Sequence, residues 1–238
     1  YTRVSVLIDG STDTTKNIVV LNKGTSKYEY VLASGLSNGW HTVKVLKRTE
    51  VICTDMTLYE LRTDGYFGPV DKTEKLKIEV YGDSITAGFG NLRPTSDPDY
   101  TNSAEQNGLQ TYATYAAAAL NAEINVMARS GIGMYTAGND IGDANHVRYR
   151  YGHSSFEGEY YWNFSNYTPD IVIINLGTND NWHWADTNGD GKAEWQFNQT
   201  IFEAEYVKMV KSLAEKYGKD TSFVFLNGLM EQDVQKYI

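Results

Sequence analysis

The apolar residues of the chain follow two different periods, and the change between them divides the sequence. From residue 1 to about residue 61, apolar and polar residues alternate in short runs, and the turn signals DGST, NKGTS and SGLSNG separate these runs. An alternation of period two is typical of antiparallel strands with one buried face, so we predict an all-β sandwich. The predicted strands contain the apolar positions Val4, Val6 and Ile8; Ile18 and Val20; Tyr28, Tyr30 and Leu32; Val43 and Val45; and Val51 and Cys53.

The boundary of this β-rich half falls in the segment 63–75, TDGYFGPVDKTEK. Glycine, proline and charged residues occur there without an apolar period, which is typical of a connecting segment. We therefore predict a β domain at 1–70, a linker at 71–77 and a second domain at 78–238.

Short apolar runs alternate with helical patterns in the second half. The runs are LKIEVYG at 76–82, AEINVMA at 122–128, DIVIINLG at 170–177 and TSFVFLNG at 221–228. Nearly continuous apolar strands that alternate with helices indicate a parallel sheet covered on both faces. We predict an α/β fold for this half.

Two helices are predicted between these strands. The first, TYATYAAAALN at 111–121, is rich in good helix formers. The second runs from about Gln199 to Tyr217, with Asn198 as its N-cap and Gly218 as its stop. Its apolar residues recur every three or four positions and mark one face. They are Phe202, Tyr206, Met209, Leu213 and Tyr217.

Polar residues with catalytic potential lie where the first three strands of the second half end. In an open α/β sheet, ligands bind beyond the carboxyl ends of the strands. Ser84 can supply a hydroxyl nucleophile and a backbone N–H, Gly131 an unhindered N–H, and Asn179 a carboxamide N–H. Acyl transfer needs a nucleophile beside donors aimed at the developing oxyanion, and these three residues together supply both.

Each of these residues also has an ordinary structural interpretation. A serine after a strand can be a helix cap, a glycine can serve only a turn, and an asparagine can form an Asx turn. The occurrence of all three at successive strand ends favours a catalytic site over three separate turns.

Composition excludes some classes of partner. Asp and Glu number 30 and Lys and Arg 21, which gives a net charge of −9 that repels phosphate backbones and anionic lipid surfaces. We expect neither nucleic acid nor a membrane as partner. No apolar run approaches the roughly 20 residues that span a bilayer. The one cysteine, Cys53, is predicted to be a buried structural thiol.

The motifs GDSIT at Ser84, the SG of ARSGIGM and GTND at Asn179 resemble the first three sequence blocks of the SGNH, or GDSL-like, hydrolase superfamily. The β-rich half, especially SNGWHTVKVLKRTE, is similar to the small jelly-roll domain of carbohydrate esterase family 2. The resemblance implies a three-layer αβα, flavodoxin-like domain with a parallel sheet, preceded by a jelly roll that is incomplete at its start.

The resemblance also implies roles. Ser84 would be the nucleophile, and Ser84, Gly131 and Asn179 the oxyanion donors, with Gly133 as the fallback for Gly131. Asp83 is expected to organise the turn. The implied activity is the removal of acetyl groups from plant polysaccharide such as xylan or glucomannan by a secreted, monomeric esterase that requires no cofactor.

The general base of this chemistry is missing from the motifs. The superfamily's fourth block, D-x-x-H, supplies a histidine, and the stretch LNGLMEQDVQKYI that ends the sequence lacks it. Either the chain is a fragment or another histidine substitutes, and the resemblance favours a fragment. The four histidines are His41, His146, His153 and His183, of which His183 follows Asn179 most closely.

Two secondary signals lie just after Asn179. Trp182 and Trp184 in NWHW are two residues apart and could offer aromatic platforms to a sugar or pack the loop. DTNGDGKAE at 186–194 matches the start of a calcium loop, with Asp186, Asn188, Asp190 and Glu194 as candidate ligands. Its twelfth position is Phe197, not the bidentate glutamate, so a hydrated loop of Asx turns is the alternative to a structural calcium site.

Two rival functions remain from the sequence. The same cleft without its base would be a carbohydrate-binding module, which binds glycans through its aromatic residues without hydrolysing them. A lipid or thioester hydrolase on the same fold is the third interpretation, and the β half and the absence of an evident acyl-chain-lined segment count against it.

Overall fold

The fold is described from a computed structural model, and the description covers residues 1–50, 53, 56–70, 75–94, 103–137, 140–141, 162–181, 184–185, 187–192 and 194–226. The predicted change from antiparallel to parallel architecture occurs within these ranges. In the described part of the chain, no helix is long and apolar enough to cross a membrane.

The N-terminal half contains a three-stranded antiparallel sheet. Strand β1 (Arg3–Ile8) lies in the centre, between β2 (Ile18–Val20) and β3 (Val43–Lys47). Val4 and Val6 are almost fully buried, as the alternation predicts, while the outer strands leave Val20 and Val43 exposed. The sequence prediction of strands at these three places is confirmed.

The prediction of a strand at 28–32 is wrong. These residues have no regular secondary structure, and Val31 is 77% exposed. The hydroxyl of Tyr30 instead accepts a hydrogen bond from the backbone N–H of Asn22, at 2.6 Å. Alternation produces a strand only where a neighbouring strand pairs with it. Cys53 is half-buried in a turn, and Val51 lies outside the described residues.

The second half forms a four-stranded parallel sheet. The strands are β4 (Lys77–Gly82), β5 (Glu123–Ala128), β8 (Ile171–Asn175) and β11 (Ser222–Phe225). Their order is β11, β8, β4, β5, and every neighbouring pair is parallel. All four predicted strands are confirmed, with β4 and β8 in the interior of the sheet. β4 begins at Lys77, and residues 71–74 of the predicted linker lie outside the described part.

Both predicted helices are confirmed. They are α2 (Tyr112–Ala119) and α4 (Gln199–Tyr217), and each packs its apolar side against the sheet. The carboxamide oxygen of Asn198 accepts the N–H of Ile201 at 3.1 Å, and Gly218 ends α4 at a φ of +87°. The five apolar positions of α4 that the period predicted are all buried. The helix therefore covers one face of the sheet with the residues that the sequence marked for it.

Shorter elements complete the described part. The helices α1 (Ser84–Ala87) and α3 (Thr178–Asn181) follow β4 and β8, and a 3₁₀ turn spans Phe164–Asn166. Two small antiparallel pairs are formed by β6 (Thr136–Ala137) with β7 (Asp140–Ile141) and by β9 (Trp184–Ala185) with β10 (Glu194–Trp195).

Candidate active site

The three candidate catalytic residues follow three neighbouring strands. β4 is paired with β5 on one side and β8 on the other, and Gly82 at its end is level with Ala128 and Asn175. All three strands point the same way, so their carboxyl ends lie at one edge of the sheet. Ser84, Gly131 and Asn179 come only a few residues after these ends. The topology therefore places the predicted nucleophile between the loops of the two other predicted donors.

Ser84 is the first residue of α1, and the cap of that helix is its neighbour Asp83. The carboxylate of Asp83 accepts the N–H of Ile85 at 3.0 Å, which satisfies one of the free donors of the helix start. The prediction that Asp83 organises the turn is confirmed, and the interpretation of Ser84 as the cap is wrong. Ser84 is half-buried, and its hydroxyl makes no hydrogen bond to another described residue.

Gly131 adopts a backbone conformation that only glycine takes up easily. Its φ is +80°, and a Cβ placed on it would have no atom within 4 Å. The position that a Cβ would occupy therefore borders open space.

Asn179 lies in α3 and is connected to the loop that carries Gly131. Its carboxamide nitrogen donates to the carbonyl of Ile132 at 2.8 Å. A carboxamide carries two N–H donors, so one can hold the loop while the other serves an oxyanion. Asn179 is thus joined by a direct hydrogen bond to the loop that carries Gly131.

Asp180 holds the loop that carries Gly131, and the sequence reasoning missed it. Its fully buried carboxylate accepts the N–H of Met134 at 2.6 Å and that of Tyr135 at 2.9 Å. A Cβ on Gly133 would lie 2.6 Å from the carboxylate oxygens, so Gly133 must be glycine for Asp180 to approach. We assign Gly133 this packing role. The acidic last residue of GTND was the available signal.

The buried carboxylate of Asp83 has a perturbed protonation equilibrium. Its pKa is raised from 3.8 to about 6, mainly because the carboxyl group is buried; the hydrogen bonds from Ile85 and Thr178 oppose the shift, and the nearby charge of Asp180 adds to it. The residue beside the candidate nucleophile therefore changes charge in mildly acidic solution.

This shift predicts a pH-dependent stability difference between the native protein and Asp83→Asn. A raised pKa means that the folded state holds the proton more tightly, so the stabilisation is complete below pH 3.8 and is lost as the pH rises to about 6. Relative to Asp83→Asn, which keeps the acceptor for Ile85, the native protein should lose about 3 kcal/mol of unfolding free energy over that interval. Urea denaturation at several pH values measures this difference, and two parallel curves would contradict the assignment.

The described part of the chain brings no histidine to Ser84. His41 lies in the N-terminal half, where Nδ1 is 2.7 Å from the carboxylate of Asp9 and Nε2 is 2.9 Å from the carbonyl of Ser37. The hydrogen bond with Asp9 raises the pKa of His41. His146, His153 and His183 lie outside the described residues.

The remaining predicted site residues are described only in part. Trp182 and Asp186 lie outside the described residues, as does the side chain of Trp184. Within 187–194, the carboxylate of Glu194 accepts hydrogen bonds from Thr187 and from the carboxamide of Asn188, and the side chain of Asp190 accepts the N–H of Lys192. Among the described residues, no group of three or more His, Cys, Asp or Glu side chains could hold a metal ion. The loop is a series of Asx turns as described, and calcium binding stays a prediction.

The family of the chain follows from its sequence. Residues 80–233, more than half of the chain, match the model of the GDSL-like Lipase/Acylhydrolase family. The chain belongs to this family. The matched range contains all three candidate catalytic residues, and the predicted superfamily is confirmed.

Two curated members of known activity are similar in sequence. The chain is 37% identical over 156 residues to the cellulase/esterase CelE of Acetivibrio thermocellus. This aligned region covers 63% of the chain and 18% of that protein. It is 27% identical over 214 residues to an acetylxylan esterase / glucomannan deacetylase of Cellvibrio japonicus. This aligned region covers 88% of the chain and 58% of that protein. The chain thus spans less than two thirds of the length of these relatives.

Two solved structures of carbohydrate esterase family 2 share the fold over nearly the whole chain. One, from Corynascus thermopiles (Myceliophthora fergusii), is 28% identical with a TM-score of 0.79 and covers 98% of this chain and 68% of its own. The other, from Clostridium thermocellum in complex with cellohexaose, is 26% identical with a TM-score of 0.75 and covers 99% of this chain and 69% of its own. The predicted similarity to carbohydrate esterase family 2 is confirmed.

Proposed function

We propose that this chain belongs to a serine esterase that removes O-linked acetyl groups from plant polysaccharides such as xylan and glucomannan. The observation that carries the proposal is the meeting of Ser84, Gly131 and Asn179 at adjacent strand ends of one parallel sheet. The esterases among its relatives support the choice of ester chemistry, and the acetylxylan esterase of Cellvibrio japonicus supports the choice of substrate.

The reaction proceeds through an acyl-enzyme. The Ser84 hydroxyl oxygen attacks the acetyl carbonyl carbon while a histidine base removes the hydroxyl proton. The carbonyl oxygen becomes an oxyanion, and the backbone N–H groups of Ser84 and Gly131 and the carboxamide of Asn179 stabilise it. The histidine then gives its proton to the departing sugar oxygen, and water releases acetate from Ser84 by the reverse sequence.

The base is proposed by resemblance. It is a histidine of a D-x-x-H block, and the stretch 226–238, LNGLMEQDVQKYI, does not contain one. His183 is the substitute within the sequence, because it follows Asn179 by four positions. Mutation of His183 in active protein distinguishes the two, since full activity after His183→Ala excludes it as the base.

Carbohydrate binding without turnover is the second candidate function. The observation that favours it is the relative from Clostridium thermocellum, which was solved in complex with cellohexaose. Trp182 and Trp184 are proposed to contribute aromatic platforms to such a sugar site.

One assay separates the two functions. Acetate release from acetylated xylan and acetylated glucomannan is measured with the natural full-length protein, and cellohexaose binding is measured by titration calorimetry in parallel. Acetate release supports the esterase. Binding of cellohexaose without any acetate release overturns the esterase and supports the binding module.

The loop at 186–194 gives a separate prediction. If Asp186, Asn188, Asp190 and Glu194 bind a structural calcium ion, added calcium raises the melting temperature and a chelator lowers it, because a ligand that binds only the folded state stabilises it. Catalysis by Ser84 needs no metal, so the shift should appear in stability. The control is Asp190→Ala with Glu194→Ala, which should remove the calcium response. Identical melting curves with calcium and with chelator would contradict the site.

Two properties of the whole protein complete the proposal. It acts outside the cell, where its polymeric substrate is, and it acts as a monomer. Light scattering tests the second property, and a mass of twice the chain mass or more would contradict it. Detection of the protein in culture medium tests the first, and its exclusive recovery from the cell interior would contradict it.

A further inference from the structure

The chain segment that leaves β3 enters the junction between the two halves of the molecule. Arg48, Thr49 and Glu50 are each less than 7% exposed. The carbonyl of Arg48 accepts the N–H of Gly108 at 2.8 Å, so this segment is hydrogen-bonded to the α/β half. This burial could not be predicted from the sequence, because a run of Arg, Thr and Glu is typical of a solvated loop.

The carboxylate of Glu50 binds the loop that carries the proposed oxyanion donor. One oxygen accepts the backbone N–H of Ser130 at 2.6 Å, and the other accepts the Ser130 hydroxyl at 2.7 Å. Hydrogen bonds to a charged acceptor are stronger than neutral ones, and two of them fix direction as well as position. Glu50 therefore holds both the backbone and the side chain of the residue just before Gly131.

The direction of the Gly131 N–H depends on how this loop is held. This N–H belongs to the peptide that joins Gly131 to Ser130, so its direction depends on the torsions of these two residues. Glycine has no side chain of its own to restrain these torsions, and no atom lies within 4 Å of the place where a Cβ would be. Ser130 is thus the part of this peptide that can be held from outside.

The other side of the loop has its own restraint. Asn179 holds the carbonyl of Ile132, and Asp180 holds the N–H groups of Met134 and Tyr135. Gly131 therefore lies between two anchors. One comes from α3 in the catalytic half, and the other is a carboxylate from the N-terminal half.

We propose that Glu50 is a positioning residue that aims the N–H of Gly131 into the oxyanion site. This rests on the proposed esterase function. Glu50 touches no reacting atom and acts through Ser130. The N-terminal half is thereby part of the catalytic apparatus, because it supplies one of the two anchors of the oxyanion loop.

The kinetic test compares three variants in the natural full-length protein. Glu50→Ala removes both hydrogen bonds, and we expect kcat to fall about 10- to 100-fold with KM within about twofold, because a misplaced donor weakens only transition-state binding. Glu50→Gln should retain most of kcat, since its amide can accept the Ser130 N–H and donate to the Ser130 hydroxyl. Ser130→Ala, which leaves the backbone bond intact, should give an intermediate loss. The matched control is Glu215→Ala on the exposed side of α4.

A second measurement does not depend on esterase activity. In an NMR spectrum of this chain, the Gly131 amide resonance should move or broaden in Glu50→Ala and keep its position in Glu50→Gln and Glu215→Ala. A Gly131 resonance that is unchanged in Glu50→Ala overturns the proposal, whether or not the native protein hydrolyses esters. An equal loss of kcat in Glu50→Ala and Glu50→Gln also overturns it. If the native protein shows no esterase activity but the Gly131 resonance changes in Glu50→Ala as predicted, the esterase assignment is wrong. The restraint of Gly131 by Glu50 is then still established.

Discussion

Ester hydrolysis falls by at least about 10⁴-fold when Ser84 is replaced by alanine, because removal of the nucleophile of a serine hydrolase costs up to about 10⁶-fold in kcat. Without the hydroxyl, no acyl-enzyme forms, and only oxyanion stabilisation of direct attack by water remains. Binding should be little affected, because the variant removes a single half-buried oxygen. The measurement is acetate release from acetylated xylan and p-nitrophenyl release from p-nitrophenyl acetate.

The fold should survive this substitution. The cap of α1 is the carboxylate of Asp83, and Ser84 contributes only its backbone to the helix. We expect the melting temperature of Ser84→Ala to stay close to that of native protein. Ser26→Ala, at an exposed serine of the N-terminal half, is the matched control and should keep full activity. Hydrolysis by Ser84→Ala at the native rate would show that another residue is the nucleophile.

Replacement of Asn179 by alanine should have the second largest effect, a loss of about 10²- to 10³-fold in kcat, which is the cost of removing one oxyanion donor. The variant also frees the carbonyl of Ile132, which Asn179 now binds at 2.8 Å. Asn179→Asp should lose at least as much, since a carboxylate has the same shape but no donor and its charge opposes the oxyanion. KM should change much less than kcat, because the donor acts mainly in the transition state.

A control variant shows whether the loss of any asparagine side chain, rather than of this donor, lowers kcat. Asn38→Ala, at an exposed asparagine of the N-terminal half, should leave kcat unchanged. Circular dichroism and the melting temperature show whether the loop around Ile132 still folds. A folded Asn179→Ala that retains native kcat would contradict the oxyanion role. A rise in KM with kcat unchanged would assign Asn179 to substrate binding instead.

Local signals were enough to predict the parallel half of the fold. The period of Phe202, Tyr206 and Met209 predicts the buried face of α4, and the cap residues predict its ends. The period works here because the helix packs a whole face against one sheet, so each apolar position has the same surroundings. The same reasoning located the strand ends, and through them the meeting of Ser84 with the loops of Gly131 and Asn179.

Contacts between distant parts of the chain were beyond local reasoning. The carboxylate of Asp180 binds a loop 45 and 46 residues earlier, and Glu50 binds Ser130, 80 residues later. A periodic pattern shows which side of an element is buried, but it does not name the polar group that a buried carboxylate will meet. The failed strand at 28–32 has the same origin, because alternation cannot show whether a pairing partner exists. The positioning residues of the site were therefore found only in the structure.

The identity of the nucleophile can be measured directly. A fluorophosphonate reacts covalently with an activated serine, and peptide mass spectrometry of the labelled natural full-length protein locates the adduct. We predict one modified peptide, with the phosphonyl group on Ser84, and no modification in Ser84→Ala. An adduct on a different residue, or labelling that persists in Ser84→Ala, would contradict it.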